Sequence, residues 1–292
     1  MENVNSDLLL VILGQTASGK SQRAIQIAKQ FNGEIICADS RTVYQGLDIG
    51  TAKPTQQDRI QVRHHLLDII KPSQDFNVSD FKRLADEAIA DILRRGKLPI
   101  LVGGSGLYID AVIYNYQFRD YNQQEIDQEM TTAQMQRLIR DMGLELPTNS
   151  NNPRHLLGIL KSGANAPNNR ELRDNTLLVG LAPPEDVLLQ RIEKRTRNMV
   201  EDGLIEELKS VVAEFGWQPN ALQAPAYISF KGYLDGSLNL EDCINKCIIA
   251  DKRLAKKQAT WFKRNKSIHW LNYPSKYVES TIKLLNNYIR ND

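Results

Sequence analysis

Long apolar runs are missing from this chain. Nothing in its 292 residues approaches the roughly 18 consecutive apolar positions that a bilayer-spanning helix needs. The opening stretch Met1–Asp7 is short and polar, so a secretory signal is not expected there. Cysteine is scarce, with three in all. Cys243 and Cys247 lie four apart in an apolar helical pattern with Ile244 and Ile248. With no further Cys or His nearby, they read as helix packing rather than zinc ligation. That usage suits a reducing compartment, and a cytoplasmic location is expected. Excess charge is also missing. Lys and Arg total 37 against 35 Asp and Glu, a net charge of +2, so any nucleic-acid site must come from local clustering. No internal repeat or low-complexity tract appears. What remains is globular in kind, with 41% hydrophobic and 25% charged residues, and long enough for one large domain or two smaller ones.

The most informative stretch is Gly14-Gln15-Thr16-Ala17-Ser18-Gly19-Lys20-Ser21. An apolar run, Leu8–Leu13, precedes it. A helical pattern with Ala24, Ile25, Ile27, Ala28 and Phe31 on one face follows. Strand, glycine-bounded loop and helix form the setting in which G-x-x-x-x-G-K-[ST] reads as a phosphate-binding loop. Gly14 and Gly19 let backbone N–H groups curl inward, and the helix start adds its positive dipole end. Lys20 can reach terminal phosphates and Ser21 can ligate Mg²⁺. Taken alone, the loop implies a nucleotide (an ATP-class ligand) or another di- or triphosphate, with Mg²⁺, and leaves the reaction open.

The first 115 or so residues read as α/β. Gly33–Ala38 is a second short strand ending at Asp39-Ser40, and Arg41–Gln61 a polar loop. Leu66–Ile70 is a further strand stopped by Lys71-Pro72, and Ser79 caps a helix through Arg95. Leu98–Val102 is a buried strand emptying into Gly103-Gly104-Ser105-Gly106. Strands alternating with helices predict a parallel sheet with helices on both faces and ligands at its carboxyl edge. Between 117 and 175 the pattern changes. Met135, Leu138, Ile139 and Met142 have the spacing of a short amphipathic helix, and Arg154–Leu160 of another. The predicted division is an α/β core at 1–116 and 176–292, with a small helical subdomain inserted at 117–175. The sheet pattern returns once, at Thr176–Leu181. Pro183-Pro184 then opens a helix, and helices follow over about 185–201, 203–215, 240–263 and 275–290.

Asp39, beside the phosphate loop, is a candidate base or Mg²⁺ holder; a turn cap is the simpler role for the same residue. Asp48 and Lys53 form a second polar cluster or an ordinary solvated loop. Ser105 lies where glycines let backbone approach a ligand. His64 and His65 are adjacent, lack neighbouring ligands, and read as structural. Between Asp251 and Lys266 seven Lys and Arg face one acid, with like-charge i, i+4 pairs Lys252/Lys256 and Arg253/Lys257. With Trp261 and Phe262 following, this is either a solvated face or one that suits a nucleic-acid backbone.

Together these stretches resemble one family, the tRNA dimethylallyltransferases (tRNA isopentenyltransferases). Gly14–Ser21 is similar to GPTASGKT, and Ala38–Pro54 resembles ADSRQVYRGMDIGTAKP almost residue for residue. His64–Asp68 is similar to HHLID, Ile100–Tyr108 to ILVGGTGLY, Ala255–Lys263 to AKRQLTWFR and Ile268–Leu271 to IHWL. The resemblance implies a P-loop NTPase-like sheet. It implies that dimethylallyl diphosphate sits on residues 16–21 with Mg²⁺, and that the acceptor is the exocyclic amine of the adenosine 3′ of a tRNA anticodon. Asp39 would take the amine's proton, and Lys20 would stabilise the leaving diphosphate. Asp39, Ser40, Arg41, Thr42 and Ser105, with Lys256, Lys257 and Gln258, would meet the tRNA. The anticodon stem-loop would be gripped by the inserted helices and the basic helix, the adenine drawn from its stack. The enzyme is expected to act as a monomer. Departures are Gln15 for Pro, Ser105 for Thr, and loss of the later Arg and Glu of an RxxRALE-like segment at 154–161. An IGYKE-like stretch appears as Pro225–Ser229, Gln223 stands where some members carry arginine, and Arg119 is the candidate for another expected arginine.

Three other readings share parts of this pattern. A P-loop small-molecule kinase would use residues 14–21 and Asp39, although no lid arginine cluster or acidic strand end is evident. An adenylate isopentenyltransferase would act on free nucleotide, leaving the basic helix and insertion unused. A tRNA-binding protein without chemistry would not need Lys20, Ser21 and Asp39.

Overall fold

Alternate residues of the central strands go to opposite faces, and both faces are covered. In β1 (Leu9–Gly14), Leu10 and Ile12 join one core with Ile35, Cys37, Ile100, Val102, Leu177 and Val179. Leu9, Val11 and Leu13 join another with Ile36, Ala38, Leu101 and Leu178. A strand buried on both sides needs an apolar residue at every position, which is why Leu8–Leu13 reads as an unbroken run. The computed structural model describes residues 7–118, 130–144, 146, 150–162, 171–218, 220–271 and 277–290.

After β1 come α1 (Lys20–Gln30), β2 (Gly33–Ala38), α2 (Gln56–Gln61) and β3 (His64–His65). Then follow α3 (Val78–Arg94), β4 (Leu98–Gly103), α4 (Gly106–Ile113), α5 (Thr132–Asp141) and α6 (Pro153–Ser162). The chain continues through β5 (Thr176–Leu181), α7 (Glu185–Glu201), α8 (Leu204–Phe215), α9 (Pro225–Leu234), α10 (Leu240–Phe262), β6 (His269–Leu271) and α11 (Tyr277–Arg290). The described strands form one six-stranded sheet, ordered β3-β2-β4-β1-β5-β6, in which every pairing is parallel. The predicted α/β class with helices on both faces is what the chain adopts. α1 and α11 cover one face; α3, α4 and the end of α10 cover the other. A third core joins α7, α8, α9 and α10 to Val43, Tyr44 and Leu47. α5 and α6 bury Met135, Ile139, Leu156 and Leu160 against one another.

Several local expectations are corrected. Asn77, not Ser79, caps α3, because its side chain accepts from both Ser79 N and Asp80 N while Asp80 reaches back to Asn77 N. The predicted strand 66–70 does not form. Leu66 and Asp68 have φ of +63° and +55°, which breaks the pleat after His65, and only Ile70 bridges back, to Tyr44. The loop 41–61 contains α2, started by a Thr55–Asp58 capping box. Pro184 precedes α7 rather than opening it. The sheet returns twice after residue 175, since β6 pairs with β5. α4 and α9 were not anticipated. The polar stretch 119–129, with Arg119, and residues 163–170 lie outside the described residues.

Two ionic clusters, each centred on one buried charge, set the scaffold. Lys53 Nζ, its side chain 1% exposed, donates to Tyr44 O at 2.6 Å, Asp48 Oδ1 at 2.6 Å and Asp68 Oδ1 at 2.5 Å. Lys53 is therefore an internal staple, which the exposed Asp48 meets from the solvent side. At the opposite sheet edge Glu34, 2% exposed, meets Arg95, Lys97 and His65 at 2.5–2.8 Å. Its hydrogen bond to Arg95 chiefly, with those to Lys97 and His65, outweighs burial and holds the carboxyl well below the usual range. The unfolded carboxyl titrates near 4.5, so its stabilisation is complete above that pH and drains away as pH falls below it. Glu34→Gln is expected to cost on the order of 2 kcal/mol at pH 7. In urea unfolding, the gap between wild type and variant should shrink steadily below pH 4.5.

Candidate active site

Parallel register brings the sequence-distant motifs to one edge. Ala38 pairs with Gly103 and Leu13 with Gly103 on its other side, so the chain leaves β2, β4 and β1 at one level. Asp39, the Gly104–Gly106 turn and the phosphate loop emerge there side by side. The approach is close: a Cβ on Gly103 would lie 2.0 Å from Ala38 O, so only glycine fits. Asp39 Oδ1 accepts from Arg41 N at 2.8 Å, and Ser105 Oγ accepts from Ser40 N at 3.3 Å.

The loop is built for an anion. Gly19, at φ +87°, precedes α1 with no side chain capping the helix and no acid in its first turn. Lys20 Nζ donates to Gln15 O at 3.1 Å. Burial lowers the Lys20 pKa to about 8, with Arg195 acting in the same direction and Asp39 opposing. Two arginines with no motif of their own arrive from α7. Arg191 Nη1 donates to Ser18 O at 3.1 Å, and Arg195 donates to Thr16 Oγ1 at 2.7 Å and to Asp251 Oδ2 at 2.6 Å. The expected lack of an arginine cluster is thus corrected. Their i, i+4 spacing was the available signal, but the packing of α7 beside the loop is a tertiary fact. Among the described residues Ser18 Oγ, Thr42 Oγ1 and Arg195 Nε are buried without a partner.

Two cavities meet here. One, about 320 Å³, is lined by Thr16, Ala17, Gly19, Lys20 and Ser21, with Cys37, Thr42 and His64 behind them. The other, about 750 Å³, is lined by Ser40, Arg41, Ser105, Gln223, Lys257 and Gln258. Thr16, Lys20, Asp39 and Arg195 line both. Gln258 ties the walls together: it accepts from Thr16 N at 2.7 Å and donates to Gly104 O at 3.1 Å. Lys256 does not share this cavity; it lines a separate groove. Gln15 also turns away, donating to Ala255 O.

Ser21 and Asp39, both hard oxygen donors, line the smaller cavity, and no group of three or more His, Cys, Asp or Glu among the described residues could cage a metal. Such a donor set fits Mg²⁺ that takes its remaining ligands from phosphate oxygens and water. His64 and His65 are structural: their rings meet Val62 O and Glu34, each at 2.8 Å. Cys243 and Cys247 are buried and free.

A family model described as "IPP transferase" matches residues 42–265. The chain belongs to the IPP transferase family. It is 38% identical to a tRNA dimethylallyltransferase of Pelotomaculum thermopropionicum over 283 residues, 90% of each chain. It superposes on the crystal structure of a full-length tRNA isopentenylpyrophosphate transferase from Bacillus halodurans with a TM-score of 0.75 and 32% identity, covering 98% of this chain and 97% of that one. A eukaryotic dimethylallyltransferase acting on tRNA gives a TM-score of 0.80 at 26% identity, over 98% of this chain and 80% of the other. The family match covers the Asp39–Pro54 motif from Thr42 onward, the glycine turn and the basic helix, all of which face or frame the two cavities.

The Lys20 site makes a pH prediction. Below about 8 the ammonium is charged and attracts anions; above it the charge is lost. Affinity for inorganic diphosphate, followed by titration calorimetry, should fall as pH rises through about 8, and Lys20→Met should both weaken binding and flatten that step.

Proposed function

We propose that this chain transfers a dimethylallyl group from dimethylallyl diphosphate to N6 of the adenosine 3′ of the anticodon in tRNA, releasing diphosphate. The observation that carries this reading is the pair of cavities joined at Asp39, one walled by the phosphate loop and the other bordered by α10. Two reactants can thus meet at one carboxylate.

In the smaller cavity the diphosphate lies on the loop, with Lys20, Arg191 and Arg195 around it. In the larger, Ser40, Arg41 and Ser105 surround the adenine. The N6 lone pair attacks the allylic carbon. A C–N bond forms, the C–O bond to diphosphate breaks, and Asp39 accepts the proton that N6 gives up. Lys20 and the arginines stabilise the negative charge that develops on the departing diphosphate. When bound, Mg²⁺ held by Ser21 would add positive charge beside the departing diphosphate. Exposed Lys252, Arg253, Lys256 and Lys257 on α10 supply the charge that an RNA backbone requires. The helices α5 and α6, with their own small core, are the part of the proposed 117–175 insertion that would embrace the anticodon stem. A kinase could use the α7 arginines equally well, but the larger cavity, bordered by a basic helix, favours a macromolecular acceptor over a free nucleotide.

With Mg²⁺, purified protein should move label from dimethylallyl diphosphate into tRNA and leave AMP unlabelled. Turnover of ATP with no prenyl transfer would instead establish the kinase. Asp39→Ala should retain tRNA binding while slowing transfer on the order of 10²-fold or more; full activity in that variant would remove Asp39 as the base.

A further inference from the structure

Two large apolar side chains stand out on the wall of the larger cavity. Leu107, in the first turn of α4, is 44% exposed, and Ile228, on α9, is 49% exposed. They come from elements far apart in sequence, yet both line the cavity that contains Asp39. Each has a rigid backing. A Cβ on Gly106 would meet Trp261 Cδ1 at 2.3 Å, so the indole lies against the backbone next to Leu107. That indole is itself held by Trp261 Nε1 donating to Asp110 Oδ2 at 3.0 Å. Ile228 follows Tyr227, which is fully buried, and Phe230 one half-turn later is buried too, so α9 cannot withdraw it from the opening.

Isolated exposed apolar residues are ordinary on protein surfaces. Two on the wall of the cavity that also holds Asp39, Arg253 and Lys257 are a different matter. They cannot serve phosphate or the polar edge of adenine. Their chemistry suits the faces of bases that have lost a stacking neighbour.

We propose that Leu107 and Ile228 form a wedge. They fill the gap left in the RNA stack by the target adenosine and hold apart the two bases that flank it, while the adenine reaches Asp39. The proposal rests on the tRNA reading above. Extruding a base costs its stacking on both sides. Apolar contacts made only after extrusion offset that cost in the bound complex. Their loss should therefore lower the extruded fraction and kcat, and leave binding of the prenyl donor alone.

The test uses an anticodon stem-loop with 2-aminopurine immediately 3′ of the target adenosine, a base whose fluorescence rises when it unstacks. Wild-type protein at saturation should raise that signal. The double variant Leu107→Ala/Ile228→Ala should lose at least about two-thirds of the rise and about tenfold in kcat, with the KM for dimethylallyl diphosphate within about twofold. Ile228→Leu, which keeps the apolar bulk, should behave as wild type. Both positions are exposed, and an unchanged melting temperature will verify that the double variant is folded. A double variant with a full fluorescence rise and full kcat overturns the wedge. So does a wild-type protein that binds and prenylates the stem-loop with no rise, in which case the tRNA reading stands. A wild-type protein that neither binds nor prenylates it overturns both.

Discussion

The parallel register of β2, β4 and β1 is the constraint on which the site depends. A parallel pair fixes which residues leave the sheet together, and here Ala38, Gly103 and Leu13 are level. Asp39, Ser40, Arg41 and Ser105 all follow within three residues of that line. Shifting β4 by one position would turn its alternating side chains to the wrong cores and move Ser105 relative to Asp39. The glycine at 103 is part of the same constraint, since the strands approach too closely there for any side chain.

A second layer of organisation is electrostatic. The chain is nearly neutral, yet its cations are gathered: Lys20, Arg191 and Arg195 around the loop, and the Lys and Arg residues along α10. Burying an ammonium is unfavourable, and the lowered pKa of Lys20 chiefly expresses that cost, with a smaller contribution from the like charge of Arg195. Asp251 offsets part of it by holding Arg195. Glu207 performs a quieter task. Its carboxylate accepts from Asp48 N and Ile49 N at 2.7 Å, Gly50 N at 3.0 Å and Tyr227 Oη at 2.7 Å, clamping the 48–52 loop that forms part of the cavity wall.

Sequence reading reached the pieces with strong local signatures. Leu9–Gly14 and Leu98–Gly103 are apolar at both parities, so they are recognisable as strands buried on both faces. Gly14–Ser21 is recognisable because a loop of that pattern acts through its own backbone. The failures share a physical cause. β3 stops at His65 because two residues take positive φ, which no apolar pattern announces. α9 is hidden because it is apolar nearly all round, being packed among α8 and α10, and so lacks an amphipathic stripe. Lys53 looked like a surface lysine because its three oxygen partners lie five to fifteen residues away along a folded loop.

By itself the sequence determined the α/β class, the phosphate loop, Asp39 as the candidate base, and the family to which the chain belongs. Each of these is written in a contiguous stretch whose meaning survives without its surroundings. Only the tertiary structure decided that Arg191 and Arg195 reach the loop, that Gln258 joins it to the glycine turn, and that Lys256 faces elsewhere while Lys257 lines the cavity. Those outcomes depend on how helices pack and which face each one turns inward, and contacts between residues more than a hundred and fifty positions apart leave no local trace in the chain.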